Sequence, residues 1–190
     1  MVEIRHINPQ IKLGILDLNG FSQSKSITQK REIEKAGAQF LLTTLLNTTN
    51  FEIEYTPTNK PFLKDREEHI SISHSHSKLV VIMNDKYNTG VDIELIRDKI
   101  LNIKHKFLND TELFYAKNDI ETLTFMWATK EVLYKIHGLK GLDFKTNLAI
   151  EIKNNDTFLG HIITSAIKKT YLLQKEKLQN YCLVYALNEV

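Results

Sequence analysis

Short strand-like runs separated by short polar turns constrain the fold of this chain more than any other feature. Residues 79–83 form a continuous apolar run, residues 84–89 are polar, and residues 90–96 form the next run. Turns this short join neighbouring strands that run in opposite directions. Two longer stretches with helical spacing, residues 27–47 and 119–137, interrupt the strands. The mixture predicts an α+β fold with antiparallel sheets.

The ends of the helices follow from their capping residues. Thr28 is the expected N-cap of the first long helix, and Asn109 or Asp110 begins a short helix over residues 111–117. Asp119 caps the second long helix, which ends at Gly138. The predicted strands cover residues 13–18, 51–55, 68–77, 79–83, 90–96, 148–152, 158–164, 170–174 and 181–187.

Length and composition exclude several classes of protein. A chain of 190 residues suits one large domain or two small halves, and its net charge of +2 gives no case for nucleic-acid binding. The single cysteine, Cys182, excludes an internal disulfide and a cysteine-rich zinc site. We find no apolar run of membrane-spanning length and no signal-peptide pattern, so we expect a cytoplasmic protein with no membrane partner.

Two carboxylates, Asp92 and Glu94, lie within an apolar run. Residues two apart on a strand point to the same face, so these charges repel each other unless something neutralises them. A divalent cation is one candidate, and basic side chains are another. The alternative is an edge strand with a solvated acidic face.

A helical stretch further along the chain carries a third carboxylate. Trp127, Glu131 and Lys135 are spaced four residues apart and share one face of the helix. Mg²⁺ is commonly held by carboxylates, waters and substrate phosphates, so Glu131 is a candidate third ligand. Lys130 and Lys135 would flank the cation as phosphate partners. The alternative is an ordinary Glu–Lys pair on a helix surface.

Residues 71–77 alternate between serine and larger side chains, so the serines share one face of a strand and the histidines the other. Zinc binding by His74 and His76 would need a third ligand that the sequence does not supply. An anion site is a second interpretation, because the histidines, the serines, Lys60 and Lys78 can all donate to a phosphate. The alternative is a polar strand end with half-exposed histidines.

Together these segments resemble the 4′-phosphopantetheinyl transferase superfamily. In chain order they are Lys60-Pro61, Ile72-Ser73-His74-Ser75, Gly90-Val91-Asp92-Ile93-Glu94, Phe107…Glu112, Trp127-Ala128-Thr129-Lys130-Glu131…Lys135 and Gly138…Gly141-Leu142. Each motif is modest, but their order and spacing are specific. The length resembles that of the larger, surfactin-synthetase-activating type, a single-chain pseudo-dimer.

The resemblance implies a fold and an organisation. The fold would consist of two similar α+β halves with antiparallel sheets, related by pseudo-twofold symmetry. Residues 1–89 would form the N-terminal half, with the contacts to the nucleotide end. Residues 90–190 would form the C-terminal half, with the metal site and the carrier-protein contacts. The protein would be a monomer.

The resemblance also implies an activity. Such enzymes transfer the 4′-phosphopantetheine arm of coenzyme A to a serine of an acyl or peptidyl carrier protein and release 3′,5′-ADP. By motif position, Asp92, Glu94 and Glu131 would bind Mg²⁺, or Mn²⁺, on the pyrophosphate. Lys135 would stabilise the leaving group, and Glu131 or water on the metal would take the serine proton. The residues at the nucleotide end would be Lys60, Ser73 and His74.

The same resemblance places the carrier protein on residues 96–120. Carrier proteins are acidic, so basic side chains there are candidate steering charges. They are Lys99, Lys104, His105, Lys106 and Lys117. Gln39 and Asn59 depart from the family pattern, where Arg and Gly are common.

Two other interpretations stay open at this point. One is a non-catalytic module of the same fold that binds coenzyme A or a carrier protein. The other is an unrelated Mg²⁺-dependent nucleotide enzyme, but such an enzyme would need a glycine-rich phosphate loop or further acidic motifs, and the sequence contains no Walker-type loop.

Overall fold

The chain forms two compact units, Met1–Ile93 and Glu94–Val190, in a computed structural model that describes residues 1–25 and 27–190. Each unit is a mixture of helices and antiparallel strands, which gives an α+β fold. The sequence motifs divide the chain after residue 89, whereas the boundary between the two compact units falls between Ile93 and Glu94.

The first unit packs one long helix on a four-stranded sheet. Its elements are β1 (Val2–Asn8), β2 (Ile11–Asp17), α1 (Leu18–Lys25), α2 (Lys30–Leu46), β3 (Ile53–Tyr55), β4 (Pro61–Leu63), β5 (His69–Ser75) and β6 (Lys78–Asn84). The sheet has the order β1-β2-β6-β5, and every neighbouring pair is antiparallel. Strands β3 and β4 form a separate hairpin. Helix α2 packs on β2 and β6 through Leu41, Leu42 and Leu45, so the core of this unit lies between one helix and one sheet.

The second unit also places a long helix on a sheet. Its elements are β7 (Val91–Leu95), in which the boundary of the units falls, a 3-10 helix (Asp98–Asn102), α3 (Lys104–Phe107), α4 (Asp110–Ala116), α5 (Ile120–His137), β8 (Leu148–Ile152), β9 (Thr157–Ile163), β10 (Lys168–Leu178) and β11 (Tyr181–Glu189). The strand order is β7-β11-β10-β9-β8.

Helix α5 approaches its sheet closely at a glycine of β9. A Cβ atom at Gly160 would lie 2.8 Å from Leu133 Cδ2 of α5 and 2.7 Å from Leu173 Cδ1 of β10. A side chain at this position would force the ends of the Leu133 and Leu173 side chains to move. Gly160 therefore leaves room for Leu133 of α5 and Leu173 of β10 to pack over β9.

Several predicted elements are confirmed, and others are wrong. Strand β8 coincides with its predicted range, and Asp119 caps α5 by accepting a hydrogen bond from Thr122 N at 2.8 Å. Helix α5 ends at Gly138, whose φ of 68° is left-handed. Thr28 is not the cap of α2, because Gln29 holds that position without a side-chain hydrogen bond.

The sequence motifs also miss five elements: β1, α1, β4, the 3-10 helix and α3. Strand β1 alternates apolar and charged residues over its first four positions, a strand signal that the motifs overlooked. The other four elements are short or weakly apolar. Such segments bury little apolar surface and give a weak periodic signal.

Over the described parts of the chain, no helix is both long enough and apolar enough to cross a bilayer.

Candidate active site

The serines of β5 lie on its buried face. Ser71, Ser73 and Ser75 are all buried, whereas His74 is exposed. The predicted alternation of serine and histidine faces is therefore confirmed up to Ser75. The strand ends there, and His76 lies in the hairpin turn with a left-handed φ of 51°. His76 is exposed in this turn, in keeping with the alternative of a polar strand end.

Two of these serines bind residues 91–93 of β7 within the first unit. Ser71 Oγ accepts a hydrogen bond from Val91 N at 3.2 Å, and Ser73 Oγ accepts one from Ile93 N at 3.3 Å. Ser73 Oγ also donates to Asp92 Oδ1 at 2.7 Å. These side chains supply the hydrogen-bonding groups that hold this part of β7 against β5.

Asp92 is 3% exposed, which excludes a solvated acidic face at this residue. The Asp92 carboxylate is held by the hydroxyl of Ser73. A serine hydroxyl carries one proton, and Ser73 gives it to Asp92. Ser73 therefore orients the Asp92 carboxylate in this structure, and its contact with the nucleotide end stays a prediction.

Glu94 is held by the tryptophan of the predicted helix motif. Trp127 Nε1 donates a hydrogen bond to Glu94 Oε1 at 3.0 Å. The indole ring lies edge-on to Phe107, with centroids 5.1 Å apart, and tilted against Phe144 at 5.5 Å. Because these two rings fix the indole, its N–H is aimed at one oxygen of Glu94. A carboxylate accepts several hydrogen bonds, so this contact leaves Glu94 able to act as a ligand as well.

The outer face of α5 carries the residues that the spacing predicts. Trp127, Glu131 and Lys135 are partly exposed, while the neighbouring residues 128–130, 132 and 133 are buried. Four residues of helix correspond to about 6 Å along its axis. Glu131 therefore lies one turn beyond the tryptophan that holds Glu94, on the same face.

The donor set suits a hard divalent cation. All three candidate ligands are carboxylates, and Mg²⁺ prefers oxygen. Over the described residues the structure contains no preassembled group of three or more His, Cys, Asp or Glu side chains that could hold a metal. Mg²⁺ normally takes one or two carboxylates and completes its shell with waters and substrate phosphates. Asp92 and Glu94 lie two positions apart on β7, and their role as ligands stays a prediction.

Lys130 is not a phosphate partner, and this prediction is wrong. Its side chain is 0% exposed, and Nζ lies 2.7 Å from Glu112 Oε2. Nζ also donates to three carbonyl oxygens, those of Phe107 at 2.7 Å and of Phe144 and Leu148 at 2.9 Å. An ammonium group has three protons, so these contacts use its whole donor capacity. Burial lowers the pKa of Lys130, and the neighbouring Glu112 carboxylate opposes that change.

Glu112 has a structural role that the sequence interpretation does not assign to it. Its Oε2 accepts from Asn109 N at 2.9 Å in a capping box at the start of α4, and its Oε1 accepts from Ile150 N of β8 at 3.0 Å. Together with Lys130, it connects α4, α5 and β8. The Asn-x-x-Glu spacing of residues 109–112 signals the cap, but nothing in the sequence signals the long-range partners.

At His74 the structure adds a neighbour that the sequence does not reveal. His74 Nδ1 lies 3.1 Å from Glu34 Oε1 of α2, and Lys30 Nζ lies 3.7 Å from the same oxygen. The Glu34 side chain is 16% exposed and that of His74 is 45% exposed. An anion that approaches His74 therefore meets a mixed site, in which one carboxylate opposes it and two basic groups attract it.

Lys60 is positioned by the turn that joins β3 to β4. Asn59 adopts a left-handed φ of 64°, which asparagine tolerates better than most residues and which also explains why glycine is suited to this position. Lys60 N donates to Thr56 Oγ1 at 3.1 Å, and Lys60 Nζ donates to Asn88 Oδ1. Burial lowers the pKa of Lys60 to about 8, so the amine is still mostly protonated at neutral pH.

A scan against protein-family models gives no match, and a search of curated proteins finds none that matches this chain. Membership of a family therefore stays a prediction from the sequence motifs. The roles of Glu131 and Lys135 stay predictions as well.

Proposed function

We propose that this protein is a 4′-phosphopantetheinyl transferase, an enzyme that moves the arm of coenzyme A to a serine of an acyl or peptidyl carrier protein. The observation that supports it most is the Trp127–Glu94 hydrogen bond. It brings a carboxylate of one sequence motif to the helix face of another, the face that carries Glu131 and Lys135.

The fold of that family is part of the same proposal. Each unit, taken by itself, packs one long helix on an antiparallel sheet, α2 on β2 and β6 in the first and α5 on β8, β9 and β11 in the second. That similarity supports two related halves. Pseudo-twofold symmetry between them is proposed on this ground and on the resemblance of the motifs.

Asp92, Glu94 and Glu131 would hold Mg²⁺ or Mn²⁺. When bound, the cation would neutralise charge on the pyrophosphate and act as a Lewis acid there. Phosphoryl transfer depends mainly on positioning and on neutralising charge, so carboxylates fixed by Ser73 and Trp127 are well suited to this task.

The chemical step forms one bond and breaks another. The carrier serine Oγ bonds to the β-phosphorus of coenzyme A, the bond from that phosphorus to the bridging oxygen breaks, and 3′,5′-ADP leaves. Glu131 would take the hydroxyl proton, since a neutral serine is a poor nucleophile at neutral pH. Lys135 would offset the negative charge of the leaving group. Lys60 and His74 would bind the nucleotide end.

A carrier protein would dock on residues 96–120. Two aromatic side chains of α4 are exposed there, Phe114 at 81% and Tyr115 at 49%. The basic residues Lys99, His105, Lys106 and Lys117 are also exposed, which suits an acidic partner. We place this reaction in the cytoplasm, with the enzyme as a monomer.

Intact-mass spectrometry of the carrier protein tests the proposal. The protein is incubated with an apo-carrier protein, coenzyme A and Mg²⁺, and a carrier whose acceptor serine is replaced by alanine is the control. We expect the mass to rise by one phosphopantetheine arm on the intact carrier only. Binding of coenzyme A without any mass gain on several carriers would favour a non-catalytic module instead.

A further inference from the structure

Ser73 and Ser71 of β5 differ in one hydrogen bond. Both are buried, and both accept a backbone N–H of β7, from Val91 to Ser71 and from Ile93 to Ser73. Only Ser73 also donates, to Asp92 Oδ1 at 2.7 Å. The two serines therefore make the same structural contact, and one of them makes an additional contact with a carboxylate.

We infer that Ser73 is a positioning residue that orients the Asp92 carboxylate for a divalent cation. The inference rests on the proposed function, in which Asp92 is a cation ligand. It differs from the sequence motif, which places Ser73 at the nucleotide end of coenzyme A.

The physical reason is the geometry of the carboxylate. With Oδ1 bound to Ser73, rotation of the carboxylate group about its terminal bond is restricted, and the second oxygen keeps one direction. Residues that hydrogen-bond a metal ligand commonly change cation affinity by about 10- to 100-fold when they are removed. The hydroxyl of Ser73 is itself fixed by Ile93 N, so the ligand is supported by a side chain that cannot rotate freely.

Binding of Mn²⁺ to the full chain, followed by electron paramagnetic resonance in the presence of coenzyme A, tests the inference without any turnover. We expect Ser73→Ala to weaken Mn²⁺ binding roughly 10- to 100-fold. The matched control, Ser71→Ala, should stay within about twofold of the unmodified protein, since Ser71 makes no contact with Asp92. If Ser73→Ala does not fold, Ser73→Cys takes its place, because it keeps the volume and loses the strong donor.

The transferase assay then separates a cation effect from a nucleotide effect. We expect Ser73→Ala to raise the Mg²⁺ concentration for half-maximal rate and to leave the KM for coenzyme A unchanged at saturating Mg²⁺. Equal Mn²⁺ affinity in the two alanine variants, or a raised KM with normal cation affinity, would overturn the inference. If the unmodified protein binds Mn²⁺ but transfers nothing, only the proposed function is contradicted. If it transfers normally but Ser73→Ala and Ser71→Ala bind Mn²⁺ equally well, only the role of Ser73 is contradicted.

Discussion

Lys130 Nζ and Glu112 Oε2 form a buried ion pair 2.7 Å apart, and both side chains are almost completely shielded from solvent. The pair fixes α5 against α4 and β8 through the shared contacts of its two members. Because Glu131 and Trp127 lie next to Lys130 on α5, this internal contact sets the position of the outer face. The lysine that the sequence assigns to substrate thus supports the outer face of α5 from within the protein.

Removing one member of this pair should destabilise the fold. Lys130→Met leaves the Glu112 carboxylate buried with one partner fewer, and such changes cost roughly 3–5 kcal/mol. Chemical denaturation followed by circular dichroism measures the free energy of unfolding. The control is Lys135→Met on the partly exposed face, which should change stability by less than about 0.5 kcal/mol. Equal stability of the two variants would contradict the assignment of Lys130 as a structural residue.

Trp127→Phe should impair cation binding more than stability. The substitution keeps an aromatic ring between Phe107 and Phe144 but removes the N–H that donates to Glu94. We expect Mn²⁺ affinity to fall about tenfold, as for other residues that orient a ligand. Isothermal titration with Mn²⁺ and coenzyme A measures it. Unchanged affinity would show that the indole hydrogen bond does not prepare Glu94 for a cation.

Glu131→Gln should abolish transfer and leave the fold intact. The amide loses the negative charge needed both to hold a cation and to take the serine proton. The matched control is Glu121→Gln in the first turn of the same helix, where Glu121 pairs with exposed Lys177. The carrier mass assay compares the two variants, and a melting curve checks folding. Near-normal transfer by Glu131→Gln would exclude it from the mechanism.

The lowered pKa of Lys60 should make the KM for coenzyme A depend on pH. Since burial lowers its pKa to about 8, its positive charge is present below pH 8 and is lost as the pH rises above that value. If Lys60 binds a phosphate of the nucleotide, the KM for coenzyme A should rise between pH 7 and 9. Lys60→Arg should flatten this rise, because guanidinium stays protonated. A KM that rises equally in both proteins would assign the titration to another group.

The lowered pKa of Lys60 should also make the free energy of unfolding depend on pH. Between about pH 8 and the ordinary lysine range, the unfolded chain binds a proton at Lys60 that the folded chain does not. The linkage relation then gives a free energy of unfolding that rises with pH across this window. Lys60→Met should remove that contribution, and denaturation at a series of pH values measures it.

The sequence predicts some parts of this molecule well because their signals are local. Asp119 and Gly138 mark the ends of α5 by capping chemistry. The helical spacing predicts that Trp127, Glu131 and Lys135 share its outer face. The alternation of β5 likewise separates buried serines from an exposed histidine. Each of these predictions depends only on residues within one element.

Other parts could not be predicted because they depend on contacts that are distant in the sequence. Lys130 and Lys135 look alike in their motif, yet one is buried against Glu112 and three carbonyl groups. Ser73 donates a hydrogen bond to Asp92, nineteen residues away, and His74 contacts Glu34 on another element. No periodicity within a single element indicates such partners.

Removal and restoration of the cation in the carrier mass assay tests whether transfer by this protein requires a divalent cation. The protein is treated with EDTA, mixed with apo-carrier protein and coenzyme A, and then supplied with Mg²⁺ in excess of the chelator. We expect no phosphopantetheine on the carrier before Mg²⁺ is added and full modification afterwards, with no recovery in Glu131→Gln. Transfer that continues under complete chelation would contradict a cation held by Asp92, Glu94 and Glu131.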